Sequence, residues 1–151
     1  MKCYTKLIAA ALFSLTATSN ISAHCEVPCG IYSDDTVLKD LHTHQHTISK
    51  AMKQITELSK EPGKNANQLT RWVMNKESHA TKIQNTMMQY FLAQRIKLAE
   101  ADSNKEAYLK KVTLAHKIIV LSMKCKQSTD LKNAGDLHEA IDAFTKAYLA
   151  K

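Results

Sequence analysis

The sequence has 151 residues, enough for one domain with a modest core. Only 3 glycines, 2 prolines and 6% aromatic residues argue against a β-sandwich and favour helix. Of the formal charge of +7, two units belong to Lys2 and Lys6 and no acid precedes His24, which leaves +5 on residues 24–151. Those lysines are scattered and no aromatic–basic reader motif accompanies them, so nothing points to a nucleic-acid partner. The mild positive field suits the approach of small anions.

Residues 1–23 have the shape of a secretory signal peptide. Lys2 and Lys6 give a positive start, Leu7 to Leu15 a short apolar run, and Ile21-Ser22-Ala23 a cleavage end. The run is too short to span a membrane, and no later stretch is long enough. Cleavage between Ala23 and His24 predicts an exported protein, periplasmic or extracellular, with no membrane association afterwards. Cys3 leaves with the signal. Cys25, Cys29 and Cys125 then remain, an odd number for an exported chain.

The next stretch reads AHCEVPCGIY, from Ala23 to Tyr32. Two cysteines four residues apart in an oxidising compartment suit a disulfide. They also suit half of a zinc site, although no second paired motif follows. Cleavage before His24 opens a third reading. The new amine, the Cys25 amide nitrogen and the thiolates of Cys25 and Cys29 can lie in one plane, with the His24 imidazole as an axial ligand. A flat nitrogen–sulfur set suits Cu(II) or Ni(II). Thiolates and a deprotonated amide donate electrons strongly and stabilise a higher oxidation state. Pro28 fixes a backbone angle where the chain doubles back. Tyr32 places a phenol near the open face, able to donate a hydrogen bond to a small oxygen ligand.

Helical patterning follows. Ser33-Asp34-Asp35 offers caps and acids for a first turn. Val37, Leu41, His44, Ile48, Met52, Ile55 and Leu58 then mark one helix face, which stops before Glu61-Pro62-Gly63. A second helix is predicted from near Asn67 to about Ala101, with Lys76 and Gln94 as imperfect members of its apolar stripe. Asp102-Ser103-Asn104 breaks and caps. A third helix carries Tyr108, Val112, Ala115, Ile118 and Ser122 to about Lys126. Asn133-Ala134-Gly135-Asp136 is the next predicted break, before a short fourth helix with Leu137, Ile141, Phe144 and Tyr148. The expected fold is all-α, an antiparallel four-helix bundle over residues 33–151 with an N-terminal metal-binding hook at 24–32.

Other residues have simpler readings. His42 and His46 share a helix face and can chelate, with His44 pointing elsewhere; an exposed or subunit-contact cluster is the plainer account. His116 and His138 read as structural or surface groups. Met52, Met74, Met87, Met88 and Met123 read as core, and Cys125 as a half-buried free thiol.

His24-Cys25-x-x-Pro28-Cys29-Gly30-x-Tyr32 at a processed N-terminus resembles the hook of the nickel superoxide dismutase family. Arg71-Trp72, Lys76-Glu77 and Tyr90-Phe91 are similar to positions in that family's second helix. The resemblance implies dismutation of superoxide to dioxygen and hydrogen peroxide by Ni(III)/Ni(II) cycling, with one nickel ion per subunit in a homohexamer. It implies His24, Cys25 and Cys29 as metal ligands and Tyr32 as a tyrosine guarding the site. Tyr90 and His79 become candidates for the groups around it. His79 and Asp40 stand where members carry an arginine and a glutamate that orient the axial histidine, and Glu26 stands where many have aspartate. The competing expectation is an exported helical protein, metal-binding or disulfide-hooked, without enzymatic activity.

Overall fold

The computed structural model describes residues 34–150; the expected signal segment 1–23 and hook 24–32 lie outside the described residues. Helix α1 spans Asp34–Leu58, and its buried stripe of Val37, Leu38, Leu41, Ile48, Met52 and Ile55 follows the predicted face. Helix α2 begins at Pro62 rather than near Asn67. The Pro-Gly pair that ends α1 also starts α2, because proline at the first helical position has its φ preset and needs no amide donor.

Helix α2 runs to Asn85 and continues as a π-helix over Thr86–Arg95. It stops there, not at Ala101, where Ile96 turns extended. One turn, α3 (Glu100–Ser103), leads into α4 (Lys105–Gln127), whose start is capped by the Asn104 side chain accepting from the Ala107 amide. Helix α5 (Leu131–Leu149) has 19 residues and is not short. Asn133 to Asp136 lie inside it. Asp130 supplies the cap, accepting from the Lys132 amide, and Lys132 pairs with Asp136 one turn on. These outweigh the roughly 1 kcal/mol that Gly135 costs in a helix interior.

The four long helices form a closed square. Helix α1 packs on α2 and α5, and α4 packs on α2 and α5. Neighbours are antiparallel. Asp34 meets Tyr90 while His44 meets His79 across α1 and α2, and Lys76 meets Cys125 while Gln84 meets Ile119 across α2 and α4. The core is filled by Leu41, Ile48, Met52, Ile83, Met87, Phe91, Ile118, Leu137, Ile141 and Phe144. Met74, Met88 and Met123, expected in the core, are exposed because each falls beside the buried stripe of its helix. Cys125 is a free thiol, fully rather than half buried, and burial pushes its pKa up to about 11. No helix among the described residues is long and apolar enough to cross a membrane.

Candidate functional site

The described chain begins at Asp34, two residues after Tyr32 and at the root of the expected hook. The Asp34 carboxylate is held from three sides. Tyr90 donates its hydroxyl to Oδ1, Tyr148 donates to Oδ2 at 2.7 Å, and Arg95 pairs with Oδ2 through Nη2. Arg95 also donates from Nε to the Tyr148 hydroxyl at 3.3 Å. Burial alone raises the Asp34 pKa, but the hydrogen bonds from Arg95, Tyr90 and Tyr148 outweigh it and leave the carboxylate below its ordinary value. Burial and the bond to Asp34 push Tyr90 up to about 12, so its phenol keeps its proton at neutral pH.

The π-helix makes this arrangement possible. Tyr90 and Arg95 are five residues apart, which on an α-helix separates them by about 140° around the axis. In a π-helix the hydrogen bond runs from i to i+5, so the same spacing closes about one turn. Both side chains then face α1, and the Arg95 guanidinium lies 5.6 Å from the centre of the Tyr90 ring. Beneath them Phe91 meets Phe144 edge-on at 4.9 Å and Tyr148 at 5.1 Å. Those rings fix the height of the Tyr148 hydroxyl.

Of the candidates named from sequence, Tyr90 lies at the hook root and His79 does not. His79 is roughly 16 Å back along the same helix at about 1.5 Å per residue. Its partner is His44, with Nδ1 atoms 3.0 Å apart. One ring must donate and the other accept, so both cannot be protonated there. Burial pushes both below the ordinary histidine value, with Lys82 adding to the depression. Asp40 is exposed and acts on the charge of His44; among the described residues no hydrogen bond joins it to His79. The expected ligands His24, Cys25 and Cys29, and Tyr32 with them, lie outside the described residues.

Lys76, an imperfect member of the α2 stripe, is 4% exposed. It donates to the carbonyls of Cys125 and Lys126 and to Glu77. It therefore caps the C-terminus of α4, where a cation meets the negative end of the helix dipole. His42, His46, His138 and Asp142 gather between α1 and α5. Among the described residues no three histidine, cysteine, aspartate or glutamate groups are placed so that they could hold a metal ion.

Asp34, Arg95 and Tyr148 were not singled out by sequence. Asp34 resembled an ordinary first-turn acid. Arg95 lay off the predicted helix face, because a 3.6-residue period does not describe the π-helix.

The described residues form an all-α bundle, and the sequence just before its first helix carries a histidine and two cysteines. The model of the family described as nickel-containing superoxide dismutase matches residues 19–151, and the chain belongs to that family. It matches none of the curated proteins and none of the solved structures compared with it. The protein is thus an oxidoreductase that disproportionates superoxide with a nickel cofactor.

Proposed function

We propose that this superoxide dismutase holds its nickel in the segment His24–Tyr32, and that the Asp34 knot seats this segment at the end of the bundle where Tyr90 lies. The donor set fits the ion. The His24 amine, the Cys25 amide nitrogen and the thiolates of Cys25 and Cys29 supply the flat nitrogen–sulfur set that Ni(II) favours, with the His24 imidazole as a further donor. Nickel bound there supplies one-electron chemistry between two oxidation states. The chain's own groups bind and orient. Tyr32 donates a hydrogen bond to a small oxygen species, and the excess positive charge draws an anionic substrate. Tyr90 serves as a positioning residue, since its proton is committed to Asp34.

The observation that carries this reading is the three-sided hold on Asp34. Only Ser33 separates Asp34 from Tyr32 in sequence, and the Asp34 carboxylate accepts from the Tyr90 hydroxyl, which supports a hook seated near Tyr90. The same reading makes residues 1–23 an export signal whose removal frees the His24 amine, and places the enzyme in the periplasm or outside the cell. It also assembles the chain as a homohexamer. Exposed apolar side chains support a further interface, Met74 at 66% and Leu98 at 78% exposed.

Intact mass of the exported protein, paired with metal analysis, tests the assignment. The expected result is a chain beginning at His24 with one nickel and two free thiols at Cys25 and Cys29. Dismutation at the wild-type rate by nickel-treated Cys29→Ser protein would overturn it, as would full activity in a chain carrying one extra residue before His24.

A further inference from the structure

Five of the seven histidines meet at one level of α1. His42, His44 and His46 lie within little more than one turn of that helix, which advances about 100° per residue. His42 and His46 therefore share a face, and His44 projects from nearly the opposite side. His44 meets His79 of α2, with Nδ1 atoms 3.0 Å apart and ring centres 4.9 Å apart. His42 and His46 meet His138 of α5, with ring centres 5.5 and 5.7 Å apart. The two helices that α1 packs on, α2 and α5, thus both meet it here through imidazoles.

These contacts accommodate few protons. Between His44 and His79 one nitrogen donates and the other accepts. A ring charged on both nitrogens cannot accept, so two charged rings lose the bond and set like charges face to face. On the α5 side, Asp142 Oδ1 lies 3.5 Å from His42 Nε2 and Oδ2 lies 3.6 Å from His138 Nε2. Among the described residues Asp142 is the sole carboxylate paired with any of the five rings, so it balances one charge and leaves a second and third unbalanced. A charged His138 also needs an acceptor at Nδ1, which is buried and has no hydrogen-bond partner. Lys82 of α2 opposes a charge on His44 and on His79, and Asp40 of α1 favours one on His44. Lys53 of α1 lines a cleft with His46 and His138 and adds a further cation there. No charged group of α4 acts on His42, His44 or His79. Burial is the first cause that holds these three below the ordinary histidine value.

We propose that the five histidines form an acid-sensitive latch, whose protonation releases α1 from α2 and α5 before the rest of the bundle opens. Rings that burial keeps uncharged become free to charge once α1 leaves its neighbours. The opened chain then binds more protons than the closed one, so acid favours opening. Asp34 lies about two turns from His42 along α1, and release at this level reaches the end of the bundle where the proposed function seats the hook. That consequence rests on the proposed function; the latch does not.

Hydrogen exchange of backbone amides in the nickel-loaded chain tests this, with the intrinsic chemical rate divided out at each pH. Between about pH 6.5 and 5.5, above the carboxylate range, the opening constant of amides around His42 to His46 should rise more than tenfold. Uptake of one proton accounts for at most about tenfold per pH unit, so a larger rise requires histidines to charge together. Amides in the middle of α4, which packs on α2 and α5, should rise less. The double variant His42→Gln, His44→Gln removes one ring from each side of α1 and should bring the rise below tenfold. His116→Gln, on the exposed side of α4, should leave it intact. The wild-type profile does not depend on a variant folding. A wild-type rise of tenfold or less, an equal rise in α1 and α4, or an undiminished rise in the double variant would each overturn the proposal.

Discussion

Replacing Asp34 by asparagine removes one charge and leaves the shape of the side chain nearly unchanged. Asparagine keeps one carbonyl oxygen for Tyr90 or Tyr148 but offers Arg95 no ionic partner. A hydrogen bond to a charged group contributes about 1.5–3 kcal/mol. The Arg95 side chain is 35% exposed and that of Asp34 19%, so solvent screening favours the lower part of that range, about 2 kcal/mol. For a chain of this size that corresponds to a fall in Tm of about 4–8 °C at neutral pH. The pH dependence identifies the cause. The Asp34 pKa is lowered in the folded state, so its contribution is fully present above the ordinary carboxylate range and is lost as pH falls through the folded value. Thermal unfolding followed by circular dichroism should show the gap between wild type and variant shrinking toward zero in strong acid. Equal Tm values at neutral pH, or a gap that stays constant down to strong acid, would refute the reasoning.

Tyr90→Phe removes one of the three donors to Asp34 and should cost about 1.5 kcal/mol; it should also lower the nickel retained per chain after dialysis, and unchanged retention would separate Tyr90 from the metal site. Lys76→Met keeps the bulk of the side chain but leaves the Cys125 and Lys126 carbonyls uncapped, and should cost about 2–3 kcal/mol, read as a lower urea midpoint. Because burial depresses the His44 and His79 pKa values, the unfolded chain takes up protons first as pH falls below the ordinary histidine value, and stability should drop between about pH 7 and 5. His79→Gln should flatten that slope; an unchanged slope would exclude the pair as its source.

The sequence and the structure agree where physics is local and periodic. The α1 stripe from Val37 to Ile55 was legible because a 3.6-residue period held throughout. The break and cap at Asn104 were legible because the Asp-Ser-Asn run leaves few alternatives. Disagreement came where tertiary contacts decide. Gly135 resembled a break, yet Asp130 and the Lys132–Asp136 pair carry the helix past it. Lys76 looked like a flaw in an apolar stripe because its partner, the end of α4, is 49 residues away in sequence. The expected hook lies outside the described residues, and its donor types and spacing leave disulfide, zinc and nickel readings open; the family match is what favours nickel. Asp34, Arg95 and Tyr148, which meet where α1 begins, have no local signal between them.

The bond between Tyr148 and Asp34 joins positions 114 residues apart. During synthesis α5 is the last of the described helices to emerge, and neither Tyr148 nor the Phe144 ring beside it exists for the chain until then. Tyr90 and Arg95 can hold the carboxylate at the start of α1 once the second helix has emerged, but its third donor waits for nearly the whole polypeptide. A long-range closure of this kind follows the local helices in folding. The hold on Asp34 thus closes in order, Tyr90 and Arg95 first and Tyr148 last.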